Sequence, residues 1–169
     1  MPPPSPDAVI PYLLSLPKEA LGEFLSLALR KMDPLLLDTL LGDWQFEQCW
    51  AGQPEAAVEE GLRAFEQRSR SGAYYKPFFF DAKSFGFVPP ETQLWYAEMT
   101  RWLDYGCAQA LLGNPGHAFA ILDRCLRLLD DTGDDNIVFA DEPGDWMLGS
   151  RHDYRSIYEV LATQQTPPI

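Results

Sequence analysis

Basic side chains are scarce in this chain: 13 Lys and Arg stand against 25 Asp and Glu, a formal net charge of −12. That balance argues against a nucleic-acid backbone as partner, because phosphate contacts need concentrated Lys and Arg, and it favours solubility and a basic protein partner. Histidine is scarcer still, with only His117 and His152. Neither lies in an HExxH, nucleophile-elbow or Cys–His signature, so no catalytic residue is assigned. Glycine loops of the GxxxxGK[ST] or GxGxxG type are absent, so no nucleotide or other cofactor is expected.

Cys49, Cys107 and Cys125 are odd in number, far apart and without a CxxC pair, which removes a disulfide framework or zinc knuckle and predicts free thiols in a reducing cytoplasm. The most apolar stretch, Val9 to Leu29, is broken by Pro11, Pro17, Lys18, Glu19 and Glu23, so no membrane span is expected. Met1 is followed by Pro2, Pro3, Pro4 and Pro6 rather than a basic segment and an apolar run, so no signal peptide is expected either.

What is present suits a folded chain. Apolar residues make up 46% of 169 residues, with five Trp and ten Phe, enough for one helical domain with its own core between a Pro-rich tail at 1–7 and a short tail at 164–169. Pro17 opens a helix whose buried face reads Leu21, Phe24, Leu25 and Ala28. Asp33-Pro34 starts a short helix over 35–41 that Gly42 stops, and Asp43 caps another running through Trp44 and Trp50. After the Gly52-Gln53-Pro54 turn, Ala57, Val58, Gly61, Leu62 and Phe65 recur at helical spacing. Residues 71–90 lose that period and form a long loop. Helix resumes over 92–112, with Trp95, Met99, Trp102, Gly106 and Ala110 on one face. Its successor starts at Asn114-Pro115 with Ala118, Leu122, Cys125 and Leu129. A second long loop covers 130–149, and Ser150 with Asp153 forms a capping box before Tyr154, Ile157, Tyr158 and Leu161.

Within residues 99–130, Trp102, Tyr105 and Gly106 precede a Gly113-Asn114 turn, and Ala118, Leu122 and Cys125 follow it. This segment resembles one tetratricopeptide repeat, an antiparallel helix pair in which small residues let the helices approach closely, although Gln109 replaces the usual tyrosine. A weaker echo lies at 45–67, where Gly52-Gln53-Pro54 and Ala57 match Gly113-Asn114-Pro115 and Ala118 at an offset of 61 residues. The repeat family spaces its units by about 34 residues. The resemblance therefore implies an all-α, irregular bundle containing such hairpins, and no regular superhelix.

Charge is unevenly placed. Residues 61–90 carry Arg63, Arg68, Arg70, Lys76 and Lys83 against Glu66 and Asp81, whereas 130–145 carries seven acidic residues and no basic one. The two segments attract each other or serve separate partners. In the first, the run Tyr74 to Phe80, continuing to Phe85 and Phe87, combines aromatics with lysines, as binding hot spots do. Its phenylalanines are expected to complete the core, leaving Tyr74, Tyr75 and Lys76 as the exposed subset. In the second, Asp134, Asp135, Asp141 and Glu142 are expected to be a solvated surface or a dock for a basic partner, with the flanking Phe139 and Trp146 as its anchors. The order Asp-Asp-Thr-Gly-Asp-Asp-Asn lacks the spacing of an EF-hand, so no metal is assigned.

These features predict a non-enzymatic protein-interaction module, an adaptor or assembly factor that binds a peptide or helix. One alternative is a small acidic inhibitor, such as a toxin-neutralising immunity protein or a nucleic-acid mimic. A second is an enzyme or ligand binder with a pocket lined by Tyr75, Trp102, His117 and His152.

Overall fold

Proline and glycine punctuate this chain with unusual regularity, and the helices follow the punctuation. The computed structural model describes residues 6–75, 88–133, 136–138 and 147–165. Among them the fold is all-α, with no strand: α1 (Pro6–Leu14), α2 (Lys18–Lys31), α3 (Pro34–Trp50), α4 (Glu55–Arg70), α5 (Pro90–Leu111), α6 (Pro115–Asp130) and α7 (Tyr154–Gln165), with a 3-10 turn at Asp131–Gly133. Helices α2 to α6 each begin on a proline or directly after one, because a first-turn residue has no intrahelical carbonyl for its amide and proline gives up nothing there. The Asp33 carboxylate adds a side-chain cap to α3, accepting from Leu35 N at 3.0 Å and Leu36 N at 3.3 Å.

Three helices stop where a glycine turns left-handed: Gly52 (φ 70°), Gly72 (φ 77°) and Gly113 (φ 84°). After α4 and α5 the closing amides reach back to the last turn, Ala73 N to Arg68 O at 3.1 Å and Asn114 N to Gln109 O at 3.0 Å. Both are Schellman caps. Gly42 corrects the expected stop after residue 41. It keeps helical backbone and α3 runs on to Trp50, since a glycine ends a helix only by adopting the left-handed state. Asp43 therefore caps nothing; its carboxylate accepts from Arg101 Nε at 2.7 Å and Arg151 Nη2 at 3.1 Å. Helix α1 occupies part of the expected N-terminal tail, α5 begins at Pro90 rather than 92, and α7 reaches Gln165. At α7 the cap is Asp153 alone, accepting from Ser156 N at 3.1 Å. Ser150 instead donates to Asp104 at 2.7 Å.

The chain separates into two compact units, Met1–Gly42 and Asp43–Ile169. The core belongs to the second. Helix α6 is its centre: it packs on α5, α7 and α4 and buries Ala118, Ile121, Leu122, Cys125, Leu126, Leu128 and Leu129, more of its circumference than the single expected stripe. Helix α5 contributes Trp95, Met99, Trp102 and Leu103, and α4 contributes Val58, Leu62 and Phe65. Ile137 and Val138, inside the acidic segment, are buried in the same core.

Size complementarity is seen at one contact between α5 and α6 and at another between α3 and α4, with the roles exchanged. A methyl on Gly106 of α5 would lie 2.9 Å from Leu122 Cδ2 of α6, so the leucine seats on the glycine. In the earlier pair, the counterpart of Leu122 is Gly61 of α4, and it receives the Trp50 indole of α3.

Between α4 and its neighbours the basic residues find acids. The Arg124 guanidinium forks onto Glu66, with Nε to Oε1 at 3.0 Å. Arg68 pairs with Glu98, and Arg70 pairs with Asp131. The last pair links the basic and acidic segments directly, as their opposite charges predict.

Candidate functional site

Helix α2 is amphipathic, and its apolar side is open. At 100° per residue, Ala20, Leu21, Phe24, Leu25, Leu27, Ala28 and Leu29 occupy one side, together with the terminal Lys18 and Lys31, and Glu19, Glu23, Ser26 and Arg30 the other. No residue of α2 is buried. Phe24 is 43% exposed, Leu25 48%, Leu27 55% and Leu29 38%. The face expected to be buried is thus only partly covered: Leu21 and Ala28 are half-buried, whereas Phe24 and Leu25 are exposed. In the same unit Ile10 and Leu14 of α1 and Leu36 and Leu40 of α3 are at least half exposed. The physical reason is size. The N-terminal unit of 42 residues is near the lower limit at which a chain encloses its own core, and its helices touch one another only sparsely. Amphipathicity showed which side of α2 is apolar, but the openness of that side was not legible.

Of the expected partner-binding residues, Tyr74 and Tyr75 lie among the described ones. Tyr74 is not part of an exposed subset. Its ring edge packs on Phe65 with centroids 6.0 Å apart; its hydroxyl donates to Glu98 at 2.8 Å and accepts from Arg68 Nε at 3.1 Å. Burial, with the Glu98 carboxylate adding to it, pushes the phenol up to about 12. Tyr75 is half-buried at the end of the α4 turn. Lys76, Asp134, Asp135, Phe139, Asp141, Glu142 and Trp146 lie outside the described residues.

The expected pocket of Tyr75, Trp102, His117 and His152 is brought together only in part. Tyr105 bridges two of its members, 6.3 Å from the Trp102 ring and 6.0 Å edge-on to His117. Phe46 and Trp50 of α3 complete the ladder, 4.9 and 5.2 Å from Trp102. Trp102 Nε1 and both His117 ring nitrogens are buried with no hydrogen-bond partner among the described residues. His152 sits elsewhere, in the turn before α7, where its amide donates to Ser150 Oγ at 3.3 Å. Tyr75 follows Tyr74, whose anchor Glu98 lies seven residues before Tyr105 on α5, about two turns away.

Among the described residues no group of three or more His, Cys, Asp or Glu is placed to hold a metal ion, and no helix is long and apolar enough to cross a membrane. All three cysteines are free thiols, with Cys49 exposed and the others buried. Burial pushes the Cys107 thiol from 9.0 up to about 11, with Asp104 and Asp153 adding to it, and burial raises Cys125 in the same direction. Iodoacetamide at pH 8 should therefore alkylate one thiol of the native protein, Cys49, and all three after unfolding, as mass spectrometry will show. The same shifts set a pH dependence. A raised thiol pKa stabilises the fold fully below pH 9, and that contribution is lost as pH rises through about 11. The urea midpoint of the chain should be lower at pH 10.5 than at pH 8; an unchanged midpoint would contradict these buried thiols.

No protein-family model, no curated protein and no solved structure matches this chain.

Proposed function

We propose that this chain is a non-enzymatic protein-interaction module that holds a helix of a partner protein against its N-terminal helices. The open apolar side of α2 carries the reading. Helices of nine and fourteen residues, the lengths of α1 and α2, are marginal in water by themselves and take most of their stability from packing of an apolar face. Here eight large apolar side chains, Ile10, Leu14, Phe24, Leu25, Leu27, Leu29, Leu36 and Leu40, are between 38% and 75% exposed. Apolar surface on that scale marks an interaction site. The resemblance of residues 99–130 to a tetratricopeptide hairpin supports the same class, with Trp102, Gly106, Ala118, Leu122 and Cys125 all buried. Three free thiols suit a cytoplasmic setting.

The test is capture from an extract of the source cells by immobilised chain, comparing the parent with Leu27→Lys/Leu29→Lys, with mass spectrometry identifying what is held, own copies included. Proteins held by the parent at about 1 M salt, where exposed charge pairs are screened, and lost by the variant support the apolar site. Capture that disappears in salt and survives the substitutions would favour the acidic-inhibitor alternative and remove this one.

A further inference from the structure

Thr100, Asp104 and Cys107 stand at successive turns of α5 and share one stripe. The segment that enters α7 runs along this stripe in the same direction. Gly149 donates its amide to Thr100 Oγ1 at 3.3 Å. One turn on, the Asp104 carboxylate accepts from Ser150 Oγ at 2.7 Å and from Arg151 N at 3.0 Å, and Arg151 Nε lies 3.9 Å from its other oxygen. Burial is the main reason the Cys107 thiol is pushed up, and the Asp104 and Asp153 carboxylates stand close enough to add to it. Apolar side chains anchor the segment at its two ends, where Met147 and Leu148 pack against the core and Tyr154 is buried in it. Between them Gly149, Arg151 and Asp153 are exposed, and Ser150 and His152 are half-buried.

We infer, independently of the N-terminal site, that Gly149–Asp153 is a hinged strap, latched at Asp104, that opens while the rest of the core stays folded and so governs access to Cys107. Segments that open ahead of global unfolding bury little apolar surface and rely on exposed polar ties, and the strap has both properties. Arg151 reaches the Asp43 carboxylate at 3.1 Å, but the two side chains are 68% and 60% exposed, and such pairs hold weakly. Asp104 differs. Its side chain is only 21% exposed, and as an ionised acceptor it takes both the Ser150 hydroxyl and the Arg151 amide, so the hold on the strap is concentrated in one carboxylate. While the strap is shut, Cys107 is fully buried and its raised pKa leaves little of the nucleophilic thiolate. Opening removes both protections at once. Cys125 is fully buried on the central helix α6, so it reports unfolding of the core rather than opening of the strap.

The test uses the full chain with Cys49→Ser, which leaves Cys107 and Cys125 as its thiols. Iodoacetamide at pH 8, quenched over a time course and read by mass spectrometry, gives a labelling rate for each. Asp104→Ala should speed the labelling of Cys107 by about tenfold or more, because losing hydrogen bonds to a charged acceptor raises the open population. Cys125 should keep the parent's rate. Arg151→Ala, at an exposed position, should speed Cys107 by a smaller factor and again leave Cys125 unchanged. If both thiols gain reactivity together in both variants, access to Cys107 requires unfolding of the core and the strap is overturned. A Cys107 rate equal to the parent's in both variants overturns it as well, since the segment then does not cover the thiol.

Discussion

Replacing Trp95 by alanine should lower the unfolding free energy by about 3–5 kcal/mol, the range for deleting a buried aromatic. Against a domain stability of about 5–15 kcal/mol this is a large share. Trp95 is fully buried. Its ring lies 4.9 Å from Tyr96, edge to face, and 6.1 Å from Phe65. Its Nε1 donates to Ser69 Oγ at 2.9 Å, and Ser69 in turn donates to the Phe65 carbonyl at 2.8 Å. One side chain thus ties α5 to α4 through both packing and a buried hydrogen bond. Ser69→Ala separates the two contributions: it leaves the rings in place but strands the indole N–H, and should cost about 1–3 kcal/mol. Urea denaturation followed by circular dichroism measures both. A Trp95→Ala protein within 1 kcal/mol of the parent would show that this contact does not hold α4 and α5 together.

Gly61→Ala should destabilise the protein by about 1–3 kcal/mol, although alanine is the better helix former by up to about 1 kcal/mol. The added methyl would lie 2.0 Å from Trp50 Cη2 and 2.4 Å from Cζ2, far inside contact distance. Trp50 has little room to withdraw, because it is packed between Phe46 at 6.3 Å and Trp102 at 5.2 Å. Gly106→Ala should cost less. Its methyl would meet Leu122 Cδ2 and Cγ at 2.9 Å, and a leucine shifts its end more readily than an indole does. Trp50→Leu in the Gly61→Ala background should recover part of the loss, a coupling of about 1 kcal/mol in a double-mutant cycle. Equal thermal midpoints for Gly61→Ala and the parent would mean that Trp50 does not seat on that glycine.

Local chemistry was the legible part. Proline at the first helical position and glycine just past the last act within a few residues, so the starts at Pro34, Pro54 and Pro115 and the turns at Gly52 and Gly113 could be read directly. Gly42 was misread for the same reason: only the backbone after a glycine decides whether it turns left-handed, and here α3 continues. The α5/α6 contact was readable from Gly106 and Leu122, whereas residues 45–67 showed only a weak echo of it, because the exchange of large and small between Trp50 and Gly61 leaves no fixed spacing. Tyr74 looked like an exposed aromatic beside basic residues; its ties to Glu98 and Phe65 come from distant positions.

The order of residues by itself determined that this chain is helical, acidic and punctuated at defined points, since propensity, capping and net charge are properties of neighbours and of composition. Only the folded arrangement decided that α6 lies at the centre, that Arg70 and Arg124 are neutralised by Asp131 and Glu66, and that the apolar side of α2 is left open. Burial depends on what reaches a surface from far along the chain, and amphipathicity states only which side is waiting to be covered.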